Sequence, residues 1–412
     1  MEILYTSCCG IDIHAKTAVA CLIRNGKKEI RTFSTMTSDL LRLLDWLLEN
    51  HCTHLAIEST GVYWKPVFNI LDGHLEVVLV NARHLKTVPG RKTDVKDCEW
   101  IADCLRHGLL QASFIPPRHI RDLRELTRYR FTLVKERGAV ANRIQKLAES
   151  ANLKLSEVAS DALGDSAKAM LQALARGERD VVKMSDYARG RLRSKLPQLR
   201  LALDGRLTEA QRWVLSELLA RYDELEASIA KAEAKIEEVI EASPDPFVRK
   251  AVELLDTIPG VGATVAQLMV AEIGVKMEQF PSAAHLASWA GMCPGNNESA
   301  GKRKSGQTTK GSKYLRAMLV QAAWAASHTK QTYLAAEYRR LAKRLGKKKA
   351  LVAVGHSILV IAYYVLKRRE SYKELGGDYF ERKNVDGQKR RLIRQLEALG
   401  LRVTVEEVGE AA

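Results

Sequence analysis

A change in hydrophobic pattern near residue 118 limits the folds open to this chain. Before it, short apolar runs alternate with helical patterns; after it, helical periodicity and basic charge take over. Alternating strand and helix patterns predict a sheet covered by helices, whereas continuous helical periodicity predicts helix-on-helix packing. We therefore expect an α/β N-terminal part and a mainly α remainder. The 412 residues are enough for two or three domains.

The N-terminal part begins with three strand patterns. The first is CCGIDIH, and the next two flank Asn25 and Gly26, a dipeptide typical of a tight β-hairpin turn. Helix and strand patterns then alternate, ending in a helix with Thr93 as its expected N-cap. The predicted order is β-β-β-α-β-α-β-α, led by a three-strand meander.

Residues 207–242 carry a heptad with charged residues between its apolar positions. Those positions are Leu218, Tyr222, Leu225, Ile229, Ala232, Ile236 and Val239. The spacing predicts a coiled coil that joins two copies of the chain or packs back within one. Proline residues at 244 and 246 then mark a boundary.

Two further helical patterns are joined by Pro259-Gly260-Val261-Gly262. This pattern is typical of a helix-hairpin-helix, whose glycine turn presents backbone N–H groups to a phosphate. Gly260 and Gly262 are therefore candidate nucleic-acid contacts.

The formal charge of +16 favours a polyanionic partner, and nucleic acid is the first candidate. The alternative is a basic surface that is only solvated.

Two segments of the chain are especially basic. The helix beginning near residue 118 spaces four cations along one face, which suits phosphates or plain solvation; they are Arg121, Arg124, Arg128 and Lys135. The segment from Gly301 onward has six cations and no acid, and they are Lys302, Arg303, Lys304, Lys310, Lys313 and Arg316.

The glycine-rich segment from Gly295 to Arg316 does not fit a nucleotide. Five residues separate Gly295 from Gly301 where a Walker A loop has four, and Arg303 follows Lys302 where that loop has Ser or Thr. We therefore expect no nucleotide cofactor, and a nucleic-acid backbone is the better ligand. A basic loop without chemistry is the alternative.

The remaining composition predicts a chain that needs no membrane. No apolar run reaches the roughly 20 residues of a membrane helix, and the stretch from Ala350 to Leu366 better suits a buried helix. Seven cysteines without CxxC spacing favour a reducing cytoplasm and do not form a recognised zinc motif. We expect a cytoplasmic, nucleoid-associated protein.

Four carboxylates form the candidate metal site. Asp12 and Glu58 lie in predicted buried strands, where an unpaired carboxylate is costly, and Asp94 and Asp97 lie three apart at the expected start of a helix. Acids in a first turn also favour the helix dipole, so one of that pair has an ordinary explanation. Together the four predict a ribonuclease H-like arrangement around two Mg²⁺ ions, which clamp a scissile phosphodiester.

Five blocks in one order resemble the transposases of the IS116/IS110/IS902 family. They are GIDIHAKTAVACL, AIESTGVYWKPV, GRKTDVKDCEWIADCLRHGLL, IPGVGATVAQLMVAEIG and SWAGMCPGNNESAGKRKSGQTTKGSKYLRAMLVQAAWA. The resemblance reaches about residue 370. It implies a RuvC-like DEDD domain over residues 1–115, basic helices and a coiled-coil linker over 116–242, a transposase domain over 247–370, and a polar tail over 371–412.

The resemblance also implies a nucleophilic serine, which falls on Ser299. Ala300 stands where the family often has glycine, so Ser305, followed directly by Gly306, is the competing candidate. Metal-bound charge at the phosphate would assist the serine. Attack would leave a phosphoserine link that a second strand displaces. The acids and the serine must meet on one phosphate, and the resemblance together with the heptad implies composite sites in which they meet across protomers.

The resemblance further implies a structured guide RNA encoded beside the gene, and a homodimer or homotetramer acting on element ends and target DNA. The expected function is therefore that of an RNA-guided transposase and recombinase. The alternative is a RuvC-like nuclease or resolvase in which metal-activated water attacks and Ser299 only binds. A non-catalytic nucleic-acid-binding protein is disfavoured because all four acids are present.

Overall fold

The computed structural model describes residues 2–59, 61–82, 85, 88, 96–295, 297–299, 302–383 and 385–404. Within these ranges, only the backbone is described for residues 297–299, 302–305, 385–388 and 391–392. The chain divides into two compact units, Met1–Ile115 and Pro116–Ala412.

The first unit is built on a mixed sheet, which has five strands in the described residues. The strands are β1 (Ser7–Ile13), β2 (Thr17–Arg24), β3 (Lys27–Ser34), β4 (His54–Glu58) and β5 (Glu76–Val80). Their order across the sheet is β3-β2-β1-β4-β5. β1, β2 and β3 pair antiparallel, whereas β1, β4 and β5 pair parallel. The predicted mixed α/β part with a leading meander is confirmed.

The turn between β2 and β3 follows from its two residues. Asn25 and Gly26 have φ of 48° and 81°, the left-handed values that a two-residue hairpin turn requires and that asparagine and glycine tolerate best. The turn pairs Arg24 with Lys27 and fixes the register of both strands.

Helices cover both faces of this sheet. They are α1 (Thr37–Glu49), α2 (Trp64–Leu71) and α3 (Asp97–Arg106). α1 and α2 bury leucine and valine side chains against one face, and α3 packs on the other. The register of β1 decides which of its side chains meets which layer, because successive residues alternate between faces.

The second unit is mostly helical. Its first part contains α4 (Arg118–Ser150), α5 (Leu155–Val158), α6 (Asp165–Ala175), α7 (Val181–Ser185), a 3₁₀ helix (Gly190–Lys195), α8 (Leu196–Leu203) and α9 (Glu209–Glu241). α4 and α9 pack lengthwise against each other. Leu225, Ile229 and Ala232 of the heptad are buried in that contact. The seam therefore packs within one chain, the second of the two arrangements that the heptad allowed.

The rest of the unit contains α10 (Phe247–Asp256), α11 (Ala263–Ile273), α12 (Ala283–Trp289), β6 (Asn297–Ser299), β7 (Lys302–Ser305), α13 (Lys313–Ser327), α14 (Tyr333–Leu345), α15 (Lys347–Arg368), α16 (Tyr379–Arg382) and α17 (Val385–Ala398). Among the described helices, α15 alone is long and apolar enough to cross a membrane, and half of its most apolar stretch is buried within the protein. It packs against α10, α12, α13 and α14, as the core helix of a compact unit does.

Part of the predicted polar tail packs on α14. Glu374 accepts a hydrogen bond from the Tyr333 backbone N–H at 2.7 Å, and the Tyr333 ring stacks on Phe380 with centroids 5.2 Å apart. Arg340 lies over the same Phe380 ring at 4.3 Å. Residues 371–383 are therefore part of the helical unit.

Candidate active site

Two of the predicted carboxylates lie on one face of the sheet. Ile11 of β1 and Ile57 of β4 lie opposite each other on adjacent parallel strands, and both are buried against α1 and α2. Because side chains alternate, Asp12 and Glu58 lie on the other face, which α3 covers. Each follows its isoleucine by one residue, so both lie at the carboxyl end of their strands.

Gly10 lets α3 approach this face closely. A Cβ at Gly10 would lie 2.3 Å from the Ala102 backbone nitrogen and 2.4 Å from the Cys98 carbonyl oxygen. At the other end of the helix, the Arg106 carbonyl accepts a hydrogen bond from Leu4 N–H at 2.9 Å. α3 therefore runs antiparallel to β1, with its first residue at the end of the sheet where β1 finishes.

Asp97 is that first residue, so it begins α3 at the same end and on the same face as Asp12 and Glu58. Asp97 is exposed, and the Asp12 side chain is 18% exposed. Burial raises the pKa of the adjacent Cys98 thiol, and the charge of Asp12 adds to that shift. Asp12 therefore lies near the first turn of α3.

The start of α3 differs from the sequence prediction. The helix begins at Asp97, and the preceding Lys96 is extended, with ψ of 144°. The predicted N-cap Thr93 and the fourth acid, Asp94, both lie outside the described residues. Asp97 and Glu99 supply the acidic first turn that the helix dipole favours. Of the predicted pair, the structure describes Asp97 alone, in the first turn of α3; the place of Asp94 beside it stays a prediction.

The donor types at this edge fit a hard divalent cation. Carboxylate oxygens are the ligands that Mg²⁺ prefers, and the nearby thiols are buried, with the pKa of Cys8 raised to about 11 by that burial. No group of three or more His, Cys, Asp or Glu side chains in the described ranges stands close enough to hold a metal ion. Asp12, Glu58 and Asp97 therefore share an edge without forming a finished metal site by themselves.

His14 is a neighbour of the site that the sequence reasoning missed. Its Nε2 lies 3.3 Å from Asp12 Oδ2, and its side chain is 65% exposed. The signal was the spacing of two residues in IDIH, which places Asp12 and His14 on one side of an extended chain.

The predicted serine loop is a β-hairpin. β6 pairs antiparallel with β7, and Ser299 pairs with Lys302 in the pair nearest the tip. Ser305 pairs with Asn297, further from the tip. Lys302, Arg303 and Lys304 lie on the second strand. The backbone thus separates the two candidate serines, with Ser299 next to the tip.

The base of this hairpin is closed by backbone contacts. Gly295 N–H donates to the Gln307 carbonyl at 2.8 Å. Gly291 has φ of 68°, and a Cβ there would lie 2.6 Å from the Gly311 nitrogen. Only glycine leaves room for these two chain segments to pass so closely.

His356 of α15 contacts the chain where the hairpin begins. The imidazole hydrogen-bonds to the Met292 backbone, and burial lowers its pKa. Its Nδ1 lies 4.0 Å from the Cys293 sulfur. The core helix therefore holds the first strand of the hairpin base.

Two of the four cations predicted to share one face of α4 are bound within the second unit. Arg128 makes a two-pronged ion pair with Glu272 of α11, at 2.6 and 2.9 Å, and lies over the Tyr314 ring at 4.8 Å. Arg124 donates to the carbonyls of Ala271 and Glu272, and burial lowers its pKa to about 10. These side chains join α4 to α11; their role as nucleic-acid contacts stays a prediction.

The other predicted contacts are more accessible. Lys135, Lys310 and Lys313 are exposed, and Arg121 and Arg316 are half-buried.

The two glycines predicted to contact nucleic acid, in the turn between α10 and α11, have different surroundings. Gly260, with φ of 84°, faces the α13 backbone, where a Cβ would lie 2.4 Å from the Ala322 carbonyl. Gly262 has open space around it.

Two family models match this chain. The DEDD transposase model matches residues 9–153, and the model described as the transposase IS116/IS110/IS902 family matches residues 252–339. Together they span more than half of the chain. Asp12, Glu58 and Asp97 fall in the first range, and Ser299 falls in the second.

Two curated relatives match along most of their length. Both are pilin gene-inverting proteins, one from Moraxella lacunata and one from Moraxella bovis. The first is 24% identical over 376 residues, covering 88% of this chain and 96% of the relative. The second is 23% identical over the same extent. Similarity to these proteins therefore covers more of the chain than the two family matches do.

Proposed function

Since the chain belongs to the IS116/IS110/IS902 family of transposases, which transfer DNA phosphodiesters, we propose that Ser299 attacks the DNA and Asp12 assists. The observation that carries the proposal is the shared edge described above. Asp12, Glu58 and Asp97 come from three separate elements and lie at one end and on one face of the sheet.

The DEDD transposase domain implies a divalent metal, and we assign its ligands to Asp12, Glu58, Asp94 and Asp97. When bound, such a cation stabilises negative charge at a scissile phosphate. The four carboxylates are proposed to hold two Mg²⁺ ions. His14 contacts Asp12, and we assign it the role of orienting that carboxylate.

The proposed transfer has two balanced steps. In the first, the Ser299 oxygen forms a bond to phosphorus, the serine proton leaves, and the bond to the leaving strand breaks as that strand's oxygen takes up a proton. In the second, a hydroxyl of another strand displaces the serine, which recovers its proton. The phosphoserine link conserves the phosphodiester between the steps, so strand joining needs no nucleotide.

Substitution of the two serines tests this proposal. We expect Ser299→Ala to abolish a covalent protein–DNA adduct, while Ser305→Ala, on the same hairpin, retains it. Asp12→Asn should stop cleavage and leave DNA binding intact. The readout is an adduct that survives denaturing electrophoresis and carries labelled DNA. Cleavage at the normal rate by Ser299→Ala would support the alternative, a resolvase-like nuclease that uses water.

A guide RNA and an oligomer are also part of the proposal. The net charge of +16 suits an extended polyanionic partner, but the heptad residues at the centre of α9 are occupied within the chain. The dimer or tetramer therefore rests on the family resemblance. RNA bound to the purified protein, and the mass of the complex by light scattering, test these two points in a protein proposed to act at the cytoplasmic nucleoid.

DNA inversion is a second candidate outcome of the same chemistry. It is favoured by the two relatives named for pilin gene inversion, of which the chain covers 96%. Inversion and transposition share cleavage and rejoining and differ in how the ends are paired. Recombination between inverted and directly repeated sites on one plasmid would distinguish them.

A further inference from the structure

The corner between α14 and α15 concentrates exposed positive charge. α14 ends at Leu345 and α15 begins at Lys347, with Gly346 between them at φ of 79°. Residues 343–349 are all exposed. Five of these seven residues are basic, and we call them the basic corner: Lys343, Arg344, Lys347, Lys348 and Lys349.

Buried residues and backbone hydrogen bonds fix the position of this corner. Leu341 and Ala350, on either side of it, are buried. Gly346 N–H donates to the Ala342 carbonyl and Ala350 N–H donates to the Gly346 carbonyl, both at 3.0 Å. The lysines are therefore presented by two packed helices.

The charge of the basic corner is not balanced locally. From Tyr338 to Arg369 the sequence contains no Asp or Glu. Among the described acidic side chains, none forms an ion pair with any of the five cations. Repulsion between them is therefore relieved only by solvent and counterions, which a polyanion would displace.

Three of the five cations lie where the helix dipole disfavours positive charge. Lys343 and Arg344 lie in the last turn of α14, where positive charge is favourable. Lys347, Lys348 and Lys349 lie in the first turn of α15, which contains no acid. The positive end of the helix dipole disfavours them there, so helix stability does not account for their placement.

We propose that the basic corner binds the phosphate backbone of duplex DNA. The inference rests on the proposed function only in taking DNA as the substrate. Lysines are point charges that attract phosphates without reading bases, so this contact adds affinity and not sequence preference. The corner begins beyond residue 339, where the second family match ends.

An anionic membrane is the less suitable partner for this surface. A membrane would engage the apolar side chains of α15 as well as the lysines, but α15 packs against four other helices of the unit. The exposed part that remains is the charged corner. Duplex DNA needs only that charge.

The test compares two triple variants in an Asp12→Asn background, so that no DNA is cut. One removes Lys347, Lys348 and Lys349 by substitution with glutamine. The control removes three exposed helical cations that are paired with glutamates, Lys235→Gln, Arg249→Gln and Lys250→Gln. Both lose the same charge. Affinity for a 40-base-pair duplex of arbitrary sequence is measured over a range of salt concentrations.

We expect the corner variant to reduce the slope of log affinity against log salt by about 2 to 3, since each lost phosphate contact changes it by about 0.9. Affinity at low salt should fall by about tenfold or more, while the control changes little. Unchanged helicity and melting temperature would show that the corner variant is folded.

Equal losses in both variants would overturn the proposal, because they would reflect net charge alone. So would an unchanged slope for DNA combined with weaker binding to a structured RNA or to vesicles containing anionic lipid. Failure of the Ser299 adduct with a reduced salt slope would reject the proposed chemistry and leave the corner's role standing.

Discussion

At the scale of single residues, Gly10 determines how closely α3 lies on β1. The helix backbone occupies the space that any Cβ at this position would need. A larger residue must push Asp97, at the start of α3, away from Asp12.

We therefore expect Gly10→Ala to destabilise the protein by about 1 to 3 kcal/mol, the usual cost of overpacking, and to reduce DNA cleavage. Gly138→Ala is the control, because Gly138 lies within α4 with no atom in the way. That change should stabilise by about 0.5 to 1 kcal/mol. Urea unfolding of the full chain measures both, and equal stability of the two variants would show that α3 is not packed on Gly10.

Glu337 gives the second unit a dependence on pH. It is 8% exposed, and one carboxylate oxygen has no hydrogen-bond partner in the described residues, while the other accepts from Ser357 at 3.0 Å. Burial raises the pKa of this carboxyl group. A raised folded-state pKa means that the stability contribution is greatest below the ordinary carboxyl range and is lost as pH rises.

Glu337→Gln should therefore unfold at the same urea concentration as the parent near pH 4 and at a higher one near pH 7. Glu253→Gln should show the opposite sign, because Lys250 lowers the pKa of Glu253. A gain for Glu337→Gln that is equal at both pH values would contradict the assignment.

At the scale of elements, the pair between Arg128 and Glu272 joins α4 to α11. Glu272 is 1% exposed, and the Arg128 guanidinium is the opposite charge that it contacts. Removing one partner of such a pair leaves an uncompensated buried charge. The two residues fall in the ranges of different family models, so the contact connects the matched segments within the second unit.

Arg128→Met is expected to cost about 3 kcal/mol, and the double variant with Glu272→Met less than the sum of the single changes. The exposed pair of Arg118 with Asp122 is the control, where Arg118→Met should cost under about 1 kcal/mol. Additive effects in the cycle would show that the two charges are independent.

Sequence periodicity predicted where the helices and strands lie better than it predicted which residues they contact. The alternation around Ile11 was sufficient to place Asp12 in a strand, and the turn at Asn25 predicted the meander. The spacing of Arg124 and Arg128 showed that they share a helix face but not that Glu272 would lie opposite. The hairpin at Ser299 was not predicted, because its sequence has no apolar alternation. Its base is closed by Gly291 passing close to Gly311, a contact that local sequence patterns do not reveal.

At the scale of the whole molecule, DNA binding through net charge can be measured separately from strand cleavage. The net charge of +16 attracts DNA with or without a bound cation, whereas the four carboxylates are proposed to serve the cleavage step. Chelation of divalent ions should therefore stop strand cleavage and change DNA affinity less than about threefold. Added Mg²⁺ should restore cleavage, and cleavage that continued in excess chelator would contradict the assigned role of the four acids.

Local motifs in both units could be recognised from the sequence, whereas contacts between side chains could not. Motifs predicted the acids of the first unit and the serine of the second, because each motif is local. Contacts such as His14 with Asp12, or His356 with the Met292 backbone, depend on side-chain placement that periodicity does not specify.

The most direct measurement locates the phosphoserine in a trapped protein–DNA adduct by mass spectrometry. Trypsin cuts after Lys302, Arg303 and Lys304, so it separates Ser299 from Ser305 into different peptides. After nuclease treatment, we expect the nucleotide remnant on Ser299, in the peptide that ends at Lys302. A remnant on Ser305, or cleavage with no serine adduct, would contradict it.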